Sequence, residues 1–167
     1  MRKTHASRIL ALDLRAHRIG YAVLEGANRL LDFGASEFGS PKMARERVRA
    51  LAKIFCPFVI VVDTGAARGR RDKRRTALMI RAIRRMARLQ SVPVAVTSGR
   101  ALRRFFTLRG LRNKYDFAVL AATWFPQLAS RVPPKRKCYD SEPPIMISFD
   151  ALAVGSAYLA AQHHGSG

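Results

Sequence analysis

The stretch Ile9-Leu10-Ala11-Leu12-Asp13-Leu14-Arg15-Ala16-His17-Arg18-Ile19-Gly20-Tyr21-Ala22-Val23 decides how this chain is read. Residues 8–14 are nearly continuously apolar, the pattern of a strand buried on both faces. A carboxylate inside such a strand is costly unless a cation stands beside it. Asp13 therefore demands an explanation beyond solubility.

Reading outward, residues 19–25 form a second strand, Gly26-Ala27-Asn28 a hairpin turn, and residues 30–38 a third strand. Ser40-Pro41 marks a helix start, with serine at the cap and proline at the first helical position. That helix runs to Phe55, with Met43, Val48, Leu51, Ala52 and Phe55 on one face. After Pro57 comes a strand over 58–63, ending in Asp63. A Gly/Arg loop spans 64–73 and leads into a helix over 72–90. On that helix Met79, Ala82, Ile83 and Met86 share one face, and Arg81, Arg84, Arg85 and Arg88 share another.

A fifth strand is expected at 92–97, with helices at 98–107, 114–128 and 149–162 and a Pro/Lys/Arg-rich loop over 129–147. Three meandering strands followed by alternating helices and strands predict an α/β fold. The expectation is one domain over residues 1–164, a mixed five-stranded sheet flanked by helices, with 165–167 as a tail.

Composition points to the partner. The 167 residues include 31 Lys+Arg against 11 Asp+Glu, a formal charge of +20 and a pI near 11.6. Such self-repulsion opposes folding, and a polyanion relieves it. Nucleic acid is the leading candidate, with a solvated basic face as the plain alternative. With 49% hydrophobic residues the chain has the means to build a core. No segment reaches the roughly 20 apolar residues of a membrane span, and the basic start at 1–8 does not read as a signal peptide. Cys56 and Cys138 form no zinc motif and suit a reducing cytoplasm.

Scarce acids at element ends are the sharpest chemical signal. Asp13 and Asp63 close strands, and Asp150 opens a small-residue helix, Asp150-Ala151-Leu152-Ala153-Val154-Gly155. Acids gathered from separate elements are what Mg²⁺ needs, since it takes oxygen ligands, waters and substrate phosphate. A pair of such ions activates water and stabilises the leaving oxygen in phosphodiester cleavage. Plainer readings exist: Asp150 as an acid at a helix N-terminus, Asp63 as a turn residue before Thr64-Gly65.

The Ile9–Val23 stretch resembles the first-strand motif of RuvC-type Holliday-junction resolvases, within the ribonuclease H-like fold. Val59-Ile60-Val61-Val62-Asp63 looks like the strand bearing that family's second acid. Phe149-Asp150-Ala151-Leu152-Ala153-Val154 is similar to its C-terminal helix, and the order from Val92 through Arg100-Ala101-Leu102-Arg103-Arg104 to Arg112-Asn113-Lys114 also follows the family.

The resemblance implies a Mg²⁺-dependent endonuclease, with Mn²⁺ as the alternative ion, that cuts four-way DNA junctions as a homodimer. It implies a bacterial, nucleoid-associated setting. Asp13, Asp63 and Asp150 would ligate metal, and Arg103 and Lys114 would lie near the scissile phosphate.

The chain also departs from the family. Asp63 stands where glutamate is usual, and Ile147 where a further acid is usual. Leu14-Arg15 replaces a Pro-Gly. A fourth acid could come from Glu142 or Asp140, in the stretch Tyr139-Asp140-Ser141-Glu142; Glu142 is the choice, with a plain surface ion pair as its alternative.

Arg68, Arg70, Arg71, Lys73 and Arg74 follow Asp63 and are expected to hold DNA phosphates, together with Arg103, Arg104 and Lys114. Arg131 to Lys137 forms a second basic segment. Phe105, Phe106, Trp124 and Phe125 read as core or dimer contacts, with a junction wedge at Phe105 or Phe106 as the alternative. His17 reads as a surface residue or a water-positioning group. The departures keep a rival open: a catalytically weak or inactive nucleic-acid binder on the same fold. A further rival is a nuclease of another kind, RNA-cutting or transposase-like.

Overall fold

The computed structural model describes residues 5–63, 70–137 and 139–164. The strands are β1 (His5–Leu14), β2 (Arg18–Glu25), β3 (Arg29–Glu37), β4 (Pro57–Asp63) and β5 (Val94–Thr97). The helices are α1 (Pro41–Phe55), α2 (Arg70–Leu89), α3 (Gly99–Leu108), α4 (Lys114–Trp124) and α5 (Met146–His164), with a 3-10 turn over Pro126–Arg131. Strand order in the sheet is β3-β2-β1-β4-β5. The meander β1-β2-β3 is antiparallel, while β4 and β5 run parallel to β1 and β4. The expected mixed five-stranded sheet is therefore present.

β1 sits at the centre and is covered on both sides, as its unbroken apolar run requires. Leu10, Leu12 and Leu14 face α1 and α2 in a core that includes Ile60, Val62, Val48, Leu51, Met79 and Ile83. Ile9 faces the opposite core, with Val59, Val61, Phe105, Phe117, Phe149 and Leu152 from α3, α4 and α5. Each fully buried Leu or Ile of this kind contributes about 1.5–3 kcal/mol of transfer free energy. Asp13 and Asp63 fall on the α3–α5 face by the two-residue alternation.

Local signals explain the boundaries. Ser40 caps α1, its Oγ accepting from the Met43 N–H at 3.3 Å, with Pro41 in the first turn. Gly26 takes φ +65° in the β2–β3 turn, the left-handed conformation that glycine adopts freely. Ser98 and Asn113 cap α3 and α4 through the N–H groups of Ala101 and Asp116.

Several expectations are corrected. α2 begins at Arg70 rather than 72, and α4 stops at Trp124 rather than 128. Pro126 has no N–H to continue the helix and opens a 3-10 turn instead. α5 begins at Met146 rather than 149, so Asp150 lies in its second turn and does not open it. Met43 is exposed; Ala44 takes the inward place beside Val48, Leu51 and Ala52. On α2 the inward residues are Met79, Ile80, Ile83, Met86 and Ala87, with Ala82 only half-buried. Arg81, Arg84, Arg85 and Arg88 are exposed, as their spacing predicts. Cys138 and residues 165–167 lie outside the described residues, and Cys56 carries a free thiol.

Candidate active site

The site grows from strand register. Asp13 at the end of β1 lies directly opposite Asp63 on β4, and Asp63 directly opposite Thr97 on β5. Neighbouring parallel strands in register present these side chains on one face. Asp13 is 1% exposed, Asp63 6% and Thr97 5%. Asp13 Oδ1 and Thr97 Oγ1 are buried and have no hydrogen-bond partner among the described residues. Buried polar atoms are normally paired, so these two oxygens, one on either side of Asp63 in the sheet, call for an explanation.

α5 brings Asp150 over this row. The helix lies on β1 and β2 because its inward residues are small and two glycines admit it. Gly20, the cross-strand partner of Asp13, meets the Ile147 backbone directly. Gly155 leaves so little room that a Cβ there would stand 2.9 Å from Ala11 Cβ. The small-residue run thus sets how closely Asp150 approaches.

Arg15, just past the end of β1, ties the acids together. Its Nε and Nη2 each donate to Asp13 Oδ2 at 3.3 Å. Nη2 also donates to Asp150 Oδ2 at 2.5 Å, and Nη1 to Glu142 Oε2 at 2.9 Å. From the far side, Lys114 Nζ, in the first turn of α4, donates to Glu142 Oε1 at 2.9 Å and to Asp150 Oδ2 at 2.6 Å. Charge-assisted bonds of this length are the strong ones.

These surroundings set the proton affinities. Burial, reinforced by the Asp150 and Asp63 carboxylates, raises Asp13 to about 7 against the opposing pull of Arg15 and Lys114. Burial also raises Asp150, although Lys114 and Arg15 counter it. At Glu142 burial is outweighed by the hydrogen bonds from Arg15 and Lys114, which hold it down at about 2. Burial lowers Lys114, but Asp150 and Glu142 outweigh this and leave it above its ordinary value.

Asp13, Asp63, Asp150, Glu142, Arg103 and Lys114 all line one open cleft of about 1100 Å³. Lys135 and Arg136 of the second basic segment line its rim, as does His17, which is exposed. Other basic candidates among the described residues do not line it. Arg71, Lys73 and Arg74 are exposed at the start of α2, where, among the described residues, Asp72 lines the cleft. Arg104 is exposed on α3 and does not line it. Arg68 lies outside the described residues, as does the side chain of Arg70. Phe105 is buried and Phe106 stacks on Phe117 with centroids 5.7 Å apart, so this pair belongs to the core and is no wedge.

Sequence reading passed over Arg15 and Thr97. Arg15 registers in sequence only as the replacement of a Pro-Gly, yet it contacts three of the four acids. The signal for Thr97 was its place at the end of the strand beside Asp63.

The donor set suits a hard divalent cation in part. Asp13, Asp63 and Thr97 offer carboxylate and hydroxyl oxygens, the ligands Mg²⁺ prefers, and the bare Asp13 Oδ1 fits such a ligand. The other half of the cluster differs, because Asp150 and Glu142 are held by Arg15 and Lys114. As the side chains stand, no three His, Cys, Asp or Glu among the described residues form a ready metal group.

No family model matches the sequence, and none of the curated proteins matches it. Solved structures do. The chain is similar to Thermus thermophilus RuvC in complex with a Holliday junction substrate, at 15% identity and TM-score 0.70, over 93% of this chain and 95% of that one. A second structure of Thermus thermophilus RuvC matches at 16% identity and TM-score 0.68, over 94% and 96%. Fowlpox virus resolvase in complex with Holliday junction DNA matches at 14% identity and TM-score 0.59, over 93% and 98%. With the strand order β3-β2-β1-β4-β5 and α5 laid across its centre, the chain has the ribonuclease H-like fold of the RuvC-type Holliday-junction resolvases.

Proposed function

We propose that this chain is a divalent-metal-dependent endonuclease that cuts branched DNA, with a four-way junction as its substrate. The observation that carries this reading is the facing pair Asp13 and Asp63, with Asp150 brought over them by α5, at the floor of a cleft lined by arginine and lysine. The fold it sits on is shared with two proteins solved on Holliday junctions.

Asp13, Asp63 and Asp150 hold Mg²⁺ or Mn²⁺. Such an ion supplies an activated water and stabilises the leaving oxygen. Phosphate is drawn to the cleft by Arg103, Lys135 and Arg136, which line it. Lys114, fixed by Glu142 and Asp150, places a positive charge beside the reacting phosphate as negative charge develops. Arg71, Lys73, Arg74 and the exposed arginines of α2 extend the basic surface beyond the cleft. A homodimer carries two such clefts about a two-fold axis, which matches the symmetry of a junction. Among the described residues no helix is long and apolar enough to cross a membrane.

A second reading is binding without cutting. It draws on Ile147, 2% exposed and apolar one turn before Asp150, and on the ion pairs that engage Asp150. The deciding experiment is incubation of a synthetic four-way junction with Mg²⁺ or Mn²⁺, beside duplex, single-stranded and RNA controls, using wild type and Asp13→Asn. Paired symmetric nicks in the junction, absent in the variant, are expected. Tight junction binding with no cutting in either metal would establish the second reading instead. Cutting of RNA alone would overturn the substrate assignment.

A further inference from the structure

Glu142 and Asp150 share the same two cations but stand differently in the chain. Asp150 is fixed on α5 with its side chain 15% exposed. The Glu142 side chain is 31% exposed, on a segment that precedes α5 and lies outside every helix and strand. Its oxygens are shared out one to a cation: Arg15 Nη1 donates to Oε2 and Lys114 Nζ to Oε1, each at 2.9 Å. Those bonds outweigh burial and hold the carboxyl at about 2, so it is ionised at any working pH. Arg15, past the end of β1, and Lys114, at the start of α4, thus form a two-pronged anion seat, and a carboxylate of the chain itself fills it.

A DNA phosphodiester fits the same seat. It carries one negative charge, presents two unesterified oxygens, and is bound by guanidinium and ammonium much as carboxylate is. Exchanging Glu142 for a phosphodiester leaves the charge at the pair unchanged and both prongs partnered. Arg103, Lys135 and Arg136 line the same cleft, so a strand held by them passes beside the seat. Arg15, which departs from the resolvase pattern, and Glu142 then belong together: the one adds a cationic prong, the other covers it.

We propose that Arg15 and Lys114 together seat one phosphodiester of the DNA, and that Glu142 occupies this seat in the free protein and is displaced by the strand. This rests on the reading of the cleft as a DNA-binding site, and it makes Glu142 a competitor of the substrate instead of a fourth catalytic acid. A ligand must outbid two charge-assisted bonds to enter. An isolated anion has only the seat to gain, whereas a strand adds the contacts along the cleft. The cover lowers apparent affinity, since only the uncovered form binds.

The test is fluorescence anisotropy of a labelled four-way junction on the full chain in EDTA, which needs no cutting. Glu142→Gln is expected to tighten binding by roughly tenfold, the net worth of one hydrogen bond to a charged group. Glu142→Ala should shift it the same way and serves if the first variant does not fold. Asp72→Asn removes an equal charge from the cleft lining at a residue that bonds to neither cation. It is expected to gain no more than about threefold, as for one screened charge. In an Arg15→Gln background the Glu142→Gln gain should shrink to the Asp72→Asn value. Unchanged or weaker binding by both Glu142 variants would overturn the proposal. So would a gain no larger than that of Asp72→Asn, or a full gain that persists without Arg15.

Junction cutting with Mg²⁺ or Mn²⁺, measured in parallel, separates this inference from the reading beneath it. Cutting by wild type, with Glu142→Gln binding no tighter, sinks the covered seat alone. Tighter binding by Glu142→Gln, with no cutting of any nucleic acid by wild type, sinks the nuclease reading alone. No binding of any nucleic acid by wild type or by the Glu142 variants sinks both.

Discussion

Gly20 on β2 and the carbonyl of Ile147 on α5 approach so closely that a Cβ on Gly20 would overlap the Ile147 oxygen. Gly20 is also the cross-strand partner of Asp13. One missing side chain therefore fixes the distance between the strand acid and the helix that carries Asp150. The neighbour at this point is backbone, which cannot rotate away, so the whole helix must shift if the glycine is lost.

Gly20→Ala is expected to cost about 1–3 kcal/mol, the usual range for overpacking a dense core. It should also reduce junction cutting at temperatures where the variant is fully folded, because Asp150 moves with α5. Urea denaturation gives the first number and a cutting assay at 25 °C or below the second. A variant that is destabilised but cuts normally would show that Asp150 tolerates displacement.

Asp13 gives the fold a particular pH dependence. Burial raises it to about 7, well above the 3.8 of the unfolded chain. Between those values the folded state binds the extra proton, so this group's contribution to stability falls as pH rises from about 4 to about 7 and stays low beyond. Each pKa unit corresponds to about 1.4 kcal/mol. Asp13→Asn removes the ionisation and is expected to melt higher than wild type at pH 8 in EDTA, with the gap closing toward pH 5. A series of melting curves across pH checks this, and a variant melting below wild type at pH 8 would contradict it.

Ile147→Asp places a carboxylate one turn before Asp150, on the same side of α5. The slot is buried, so an unpartnered charge there is expected to cost a few kcal/mol without metal. Mn²⁺ should recover part of that cost by binding the folded state. The expected result is a larger Mn²⁺-induced rise in melting temperature for Ile147→Asp than for wild type. Equal rises would place the side chain away from the ion.

Arg103 and Arg104 are neighbours in sequence with different surroundings. Arg103 lines the cleft, and Arg104 does not. Arg103→Ala is expected to weaken junction binding and to lower the slope of affinity against salt by about one ion. Arg104→Ala should do much less. Fluorescence anisotropy across a salt series distinguishes them, and equal losses would mean that the DNA covers both faces of α3.

Much of the fold was legible because local chemistry decides it. The strand carrying Asp13 announces two-sided burial by its unbroken apolar run, and Leu10, Ala11 and Leu12 are fully buried. Ser40 caps the helix it was expected to cap, with Pro41 in its first turn, and α3 starts next to Ser98, where a helix start was expected. Where expectations slipped, a tertiary or backbone term intervened. Pro126 ended α4 early, and Met146 to Ser148 joined α5, where the apolar side chains of Met146 and Ile147 are buried in the core. Met43 fits the helical period yet lies outside the narrower stripe that the sheet covers.

The sequence by itself determined the alternation of strands and helices, the central apolar strand with Asp13 at its end, Asp63 at the end of a second buried strand, and the excess of positive charge. Each of these is set by residues within one or two turns of one another, or by composition. Only the tertiary structure decided what surrounds the acids. Arg15 reaches Glu142 across 127 residues of chain and Asp150 across 135. Thr97 joins the row only through the register of β4 and β5. Such contacts depend on which strands pair and how closely one helix packs, and side chains distant in sequence acquire their partners only when the sheet closes and α5 settles against Gly20.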